Sequence, residues 1–404
     1  MIDEVGRRVA RALDETQRRA VLADLFEAPD DESDESSGTD GPLAGVPFLV
    51  KDLFDVRGLM TRAGSGFLAE ARPPADSDSA LVRAFRAAGA TLAGKTHLYE
   101  FACGLTGENP FFGNCANPLA PDRTTGGSSS GSAAAVAAGI VPIAIGTDTG
   151  GSVRLPAAHC GLYGYRHIPG HPWIRDAFPL APSCDAAGWF TASAADMVEV
   201  LKTLLKPAET AGTLRGVYLD YGRLDAEVRD ACRARAVELI PNDDPETVRE
   251  LTASFAGATV AYSVLTSIEA AAIHAPWLDT MKDRYSPAVW QRIERGRRWP
   301  AAEIREAEAI RTRLVRTLGS YFQTHDVLLL PAAPSPAPRH EECAGYDRTR
   351  ILDLTAPASL AGLPALTFPL RLANGLSVGL QAILRAPDDP AALRLLRAFD
   401  AGAA

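Results

Sequence analysis

Residues 124–157 read TTGGSSSGSAAAVAAGIVPIAIGTDTGGSVRLPA, and no other stretch restricts the fold of this chain as tightly. Two Gly-Gly-Ser clusters bracket a run of small residues and a short apolar segment. The pattern predicts a loop (124–131), a small-residue helix (132–139), a buried strand (141–146) and a tight turn (147–152). Upstream, GVPFLVKDLFDV predicts an apolar strand that ends near Lys51. DSDSALVRAFRAAG predicts a helix with Asp/Ser caps at its start and Gly89 at its end. ATLAGKTHLYEFACG then gives a short strand and a helix. Alternation of this kind points to an α/β protein with a mainly parallel sheet.

The remainder of the chain fits around that centre. Residues 2–27 read as one amphipathic helix, and residues 28–42, acidic and Ser-rich, as a mobile linker or solvated loop. Residues 220–320 are mostly helical. DVLLLPAAPSPAP, LPALTFPLRL and GLSVGLQAIL return to strand character, and DDPAALRLLRAF closes the chain as a capped helix. The division expected is an N-terminal helical segment (1–27), the linker (28–42) and one domain (43–404).

Bulk properties exclude several function classes. The 404 residues are 47% hydrophobic, ample for a large core. A net charge of −9 gives no pull toward nucleic acid or anionic membranes. The six cysteines include no CxxC pair, which fits a reduced cytoplasm, and the seven histidines lack metal-ligand spacing. The N-terminus is charged, without the apolar core of a signal peptide. No apolar run nears the length of a membrane span; the longest, 133–145, is broken by Gly139 and Pro142.

Two motifs compete for the chemistry. GATLAGKT, Gly89 to Thr96, matches the phosphate-loop pattern G-x-x-x-x-G-K-S/T. A phosphate loop, however, lies between a buried strand and a helix that begins at Lys-Ser/Thr. Here Gly89 follows a helix as its cap, and residues 90–93 are apolar and read as a strand. The match is coincidental on this reading, with Lys95 a surface or structural residue. The serine clusters need a base, because serine is a poor nucleophile at neutral pH. The nearest histidine, His159, sits in PAAHCG and reads as a packed residue. GSSSG fits the nucleophile-elbow pattern without the oxyanion and histidine context that pattern requires. A lysine can serve if it is neutral, which means bringing its pKa from about 10.4 to near neutrality, roughly 4 kcal/mol of differential solvation. Lys51, at the end of VPFLV, suits such burial; a salt bridge to Asp52 is the structural alternative.

GGSSSGSAAAVAAG followed by GTDTGGSVRLPAAHCGLYGYR resembles the amidase signature family, hydrolases with a Ser-cisSer-Lys triad. The resemblance runs from about Gly45 to the end, strong over 45–165, weak over 166–325 and clear again in LTAPASLAGLPALTFPL and NGLSVGLQAIL. It implies a single-domain α/β/α sandwich with a large, mostly parallel mixed central sheet. It implies Lys51 as the base, Ser128 as the relay serine after a cis peptide bond, and Ser152 as the nucleophile. The backbone N–H groups of Thr149, Gly150, Gly151 and Ser152 would form the oxyanion hole, and Ser129 would support the triad. Ser130 and Ser132 read as helix caps, Asp148 and Arg154 as structural. The implied reaction is hydrolysis of a small linear carboxamide to a carboxylate and ammonia or an amine, in the cytoplasm, with no metal or organic cofactor. A small-molecule amide is the expected partner, with nucleic acid and membrane excluded and a homodimer left open. Two alternatives stand beside it: the glutaminase component of a glutamine-dependent tRNA amidotransferase, and a non-catalytic protein that kept the fold. The chain is shorter than most members of the family. It departs from the family pattern after Arg166, in HIPGHPWIRDAFPLAPSCDAAGWF, and its helical middle is trimmed, which leaves the substrate open.

Overall fold

PFLVK, IAIGTD, VLLLP and SVGLQAIL are apolar at nearly every position, a composition a strand tolerates only when both its faces are covered. In the computed structural model, which describes residues 1–27, 40–240 and 244–401, these segments are interior strands of a ten-stranded sheet. In chain order the strands are β1 (Leu22–Leu25), β2 (Pro47–Lys51), β3 (Thr91–Thr96), β4 (Ala116–Asn117), β5 (Ala120–Thr124), β6 (Ile143–Asp148), β7 (Tyr163–Pro169), β8 (Ala186–Thr191), β9 (Gly216–Tyr218), β10 (Val327–Pro331), β11 (Ala365–Arg371) and β12 (Ser377–Leu384). The sheet order is β1-β3-β2-β6-β8-β7-β11-β12-β10-β9; β4 and β5 form a separate ribbon.

A large mixed sheet flanked by helices is therefore present, as expected, although parallel pairing, expected to predominate, is the minority among its neighbouring strands. Its parallel pairings are β3–β2, β2–β6 and β9–β10. The other six neighbouring pairs are antiparallel. One reason is local: β11 and β12 are joined by a short turn at Asn374-Gly375, with Gly375 at φ +82°, which returns the chain directly beside itself. Period-two alternation splits the core between the two faces. Phe48, Val50, Ile143, Ile145, Val327 and Leu329 pack on one side, and Leu49, Ala144, Leu328 and Leu330 on the other.

Several expectations need correction. Residues 2–27 are not one helix but two, Ile2–Ala12 and Glu15–Val21, followed by β1, which pairs antiparallel with β3. Asp14 causes the break, its carboxylate accepting from Gln17 N–H at 2.7 Å as the cap of the second helix. The linker assigned to 28–42 falls mainly on 28–39, outside the described residues. Residues 354–360, which open the C-terminal stretch LTAPASLAGLPALTFPL, lie in the helix Arg348–Leu360 and not in a strand. One stretch, Pro245–His274, is long and apolar enough by composition to cross a membrane. It consists of two helices, Pro245–Ser254 and Ala258–His274, separated at Gly257, and half of its apolar window is buried inside the protein.

The small-residue helix is Ser130–Ala137, two residues earlier than expected. A Cβ at Gly131 would stand 2.4 Å from Val21 O and 2.7 Å from His97 O, so only glycine lets the helix approach those two backbones. Ser132 does not cap it. Its hydroxyl donates to Ile145 O at 2.9 Å and lies 2.7 Å from Thr96 Oγ1, stitching the helix to β6 and β3. These contacts set the start of the helix, and with it the serine loop, against the end of β2.

Candidate active site

Lys51 is the last residue of β2 and is fully buried. Its Nζ donates to three hydroxyls: Ser128 Oγ at 2.8 Å, Ser129 Oγ at 2.9 Å and Thr147 Oγ1 at 2.8 Å. No carboxylate among the described residues is bonded to it. Burial pushes the amine down to about 7, against the pull of the Asp148 and Asp185 charges. Asp52 is next in sequence but points elsewhere. Its carboxylate lies 2.5 Å from Lys95 Nζ and accepts from Arg62 N–H at 3.0 Å. Burial raises the Asp52 carboxyl to about 6, with Lys95 opposing that rise. The phosphate-loop lysine is thus a fully buried residue on β3, and its ion pair takes the acid that could have neutralised Lys51.

The serine loop follows β5. The Gly127–Ser128 peptide is cis. Ser129 Oγ donates to Thr147 O at 3.1 Å and accepts from Thr147 N–H at 3.3 Å, so β6 and the loop hold each other around Lys51. The sequence pattern puts Thr147 in a turn; the strand instead runs on to Asp148 and carries it to the lysine. His159 is buried and its ring is lowered to about 4 by burial, which keeps it neutral, and it is not among the partners of Lys51.

Ser152 sits in the turn after β6, and the bonds converging on Lys51 do not include it. Ser129 N–H donates to Ser152 O at 3.4 Å, which ties the two loops together. The turn itself is gripped residue by residue. Thr149 Oγ1 donates to Asp185 Oδ1 at 2.6 Å, and Thr355 Oγ1 donates to Gly150 O at 2.8 Å. Asp148 accepts from the N–H groups of Gly151 (2.8 Å), Val153 (3.1 Å) and Arg154 (3.2 Å). One of the four N–H groups expected to face a substrate oxygen, that of Gly151, is therefore occupied by Asp148. Gly150 leaves no room for a side chain: a Cβ there would lie 2.4 Å from Tyr262 Oη.

Asp148 anchors this turn because two buried guanidiniums anchor it. Arg154 donates to its Oδ1 at 2.9 Å and Oδ2 at 3.0 Å, and Arg166 donates to Oδ1 at 3.0 Å. Burial alone would raise the Asp148 carboxyl, but Arg154 and Arg166 outweigh it and hold it well below the usual carboxylate range. Arg154 also bonds Thr355 O, Gln381 and Ser359, all internal partners, so its role is structural. Asp148→Asn would leave two buried cations short of charge. It is expected to cost about 3–5 kcal/mol in urea unfolding; a loss below about 1 kcal/mol would contradict this account of the turn.

A cavity of about 230 Å³ opens onto Ser152. Its walls come from residues that sequence reasoning leaves unassigned: Leu105, Tyr262, Arg292, Trp299, Arg348 and Leu352 among them. The stretch after Arg166 contributes Leu180, whose N–H donates to Asp185 Oδ2 at 2.9 Å. That segment therefore shapes one wall and, through Asp185, holds Thr149. His167, His171 and Trp173 of the same stretch pack on one another away from Ser152. No group of acids, cysteines and histidines able to hold a metal occurs among the described residues.

Known proteins are similar to this chain in sequence and fold. The profile of the Amidase family matches residues 7–393. Amidase 1 of Oryza sativa subsp. japonica is 32% identical, over 85% of this chain and 87% of its own length. The A-type component of the Glutamyl-tRNA(Gln) amidotransferase of Synechococcus sp. (strain WH7803) is 33% identical, over 95% of this chain and 89% of its own length. A solved amidase structure superposes with a TM-score of 0.82 at 32% identity, covering 99% of this chain and 95% of that one.

Proposed function

The chain belongs to the amidase signature family of amide hydrolases, and from that premise we propose that it cleaves the C–N bond of a small carboxamide through an acyl-enzyme on Ser152. The observation that carries this reading is Lys51, buried without a bonded carboxylate among the described residues and 2.8 Å from Ser128 Oγ. A protein with no catalytic use for that lysine would gain stability by replacing it.

In the proposed cycle neutral Lys51 accepts a proton from Ser128 while Ser128 accepts one from Ser152. Ser152 Oγ attacks the amide carbon. The oxyanion that forms is met by the N–H groups of Thr149, Gly150 and Ser152, with Gly151 stiffening the turn through Asp148. The proton returns through Ser128 to the leaving nitrogen, the C–N bond breaks, and ammonia or an amine departs. Water then attacks the acyl ester by the same relay, releasing the carboxylate and restoring Ser152. Ser129 and Thr147 hold the Lys51 amine in line. Base, nucleophile and anion stabilisation all come from the chain itself, so the reading calls for no cofactor. The six free cysteines accord with a cytoplasmic setting.

The pH profile tests the base. Protonated Lys51 cannot accept a proton, so kcat/KM should rise tenfold per pH unit below about 7 and level off above it. Ammonia release from a panel of aliphatic, aromatic and carboxylated amides measures this. A profile flat from about pH 5.5 to about 8.5 would remove Lys51 from the role. The amidotransferase alternative uses the same chemistry on a different amide, and the cavity bears on that choice.

A further inference from the structure

Three arginines line the cavity together with Ser152: Arg292, Arg295 and Arg348. Their surroundings differ from those of the buried Arg154 and Arg166, which share Asp148. Arg295 is exposed and lies over the Trp299 ring, 4.2 Å from its centroid. Arg292 donates to the Cys103 carbonyl at 2.7 Å and lies beside the Tyr99 hydroxyl. Arg348 opens the helix Arg348–Leu360, and its Nε is shut off from solvent with no hydrogen-bond partner among the described residues. None of the three forms an ion pair among the described residues, and none of the aspartates or glutamates among them lines the cavity. Burial, and then the neighbouring Arg292 charge, pull the Arg348 guanidinium below its ordinary value.

A pair of guanidiniums facing a partly enclosed space without an acid is an unbalanced arrangement. Buried cations are ordinarily paired, and guanidinium geometry matches a carboxylate in two-point contact. The same walls offer no carboxylate to a positive group. We propose that the amide taken by this site carries a carboxylate, received by Arg292 and Arg348, and carries no ammonium: it is a monoamide of a short dicarboxylic acid. The remaining walls, with Leu105, Leu180, Ile293 and Leu352, suit the methylene chain between the two ends. Glutamine has the carboxylate but adds an ammonium that two arginines repel and no acid receives. The amidotransferase alternative is disfavoured on that ground. The proposal rests on the hydrolytic reading for turnover, but the binding it describes does not need turnover.

Calorimetry on the Ser152→Ala protein separates the two. Succinamate, glutaramate and adipamate are each titrated against their methyl-ketone analogues, which keep the amide and the length but lose the charge; glutamine is titrated as glutaramate with an added ammonium. At least one monoamide should bind about 10- to 100-fold tighter than its ketone analogue, and glutaramate tighter than glutamine by a similar factor. The preference should weaken with salt and fall about tenfold in Ser152→Ala/Arg348→Gln. The proposal is overturned if no monoamide outbinds its analogue, or if glutamine binds as tightly as glutaramate. The ligand comparison needs no arginine variant, so it stands even if Arg348→Gln fails to fold. Wild-type protein that prefers the monoamides but releases no ammonia would refute the hydrolytic reading alone; equal hydrolysis of charged and neutral amides would refute the carboxylate site alone.

Discussion

Ser152→Ala is expected to abolish ammonia release and to leave a folded protein that no longer forms a covalent adduct with a fluorophosphonate probe. The drop should be on the order of 10⁴- to 10⁶-fold, the range seen when a catalytic nucleophile is removed while binding and anion stabilisation remain. The fold should survive, because the turn is held by Asp148, Asp185 and Thr355 rather than by the Ser152 hydroxyl. Intact-mass measurement after probe treatment and an ammonia assay read the two effects separately. More than about 1% residual turnover would mean that another group carries the acyl chain. Wild-type protein that is folded yet never labelled would favour the non-catalytic alternative.

Lys51→Met should change activity and stability in opposite directions. Without the base, turnover near neutral pH should fall by roughly 10²- to 10⁴-fold. Stability should rise. Burial lowers the amine to about 7 from its ordinary value near 10.5, a cost of about 4–5 kcal/mol that is present in full below pH 7. The sign follows from proton counts: between the two values the unfolded lysine holds its proton and the folded one does not, so the wild-type protein recovers stability as pH rises from about 7 toward 10.5. Methionine removes the cost but forfeits three hydrogen bonds worth about 1 kcal/mol each. The variant should therefore be about 1–2 kcal/mol more stable at neutral pH, with the advantage shrinking in alkali. Urea unfolding at neutral and alkaline pH checks this. A variant that is less stable at neutral pH and still active would end the lysine-base account.

Much of the site is legible in the sequence because its residue types answer local demands. Gly-Gly-Ser repeated around a small-residue helix and an apolar strand ending in lysine each restrict what the backbone can do nearby. Thr147 escapes because the apolar run ends two residues before the strand does. Alternation places Thr147 with Ile143 and Ile145 and Lys51 with Leu49, on opposite faces, so no pattern signals the contact the two make at the ends of their strands. The interruption at Asp14 is also local, an N-cap residue ahead of ETQRRAV that an unbroken amphipathic pattern obscures. Other features have no local signal. The Asp52–Lys95 pair depends on the register of β2 against β3, where Lys51 lies opposite Thr96. Gly151 N–H is engaged because the turn folds back on Asp148. Arg292 and Arg348 come from two helices that only tertiary packing brings to one cavity.

The diversion of Asp52 to Lys95 has a consequence for electroneutrality. Around Lys51 the protein buries three cations, Lys95, Arg154 and Arg166, and three acids, Asp52, Asp148 and Asp185. With all six ionised their charges cancel, and Lys51 is the one member left over. This group of seven is neutral only while that amine is unprotonated. A proton delivered to it during acylation finds no spare counter-charge in this group, and departure with the leaving nitrogen restores the balance. The lysine whose sequence context imitates a nucleotide site thus takes Asp52 as its partner, and that pairing leaves Lys51 without an acid of its own.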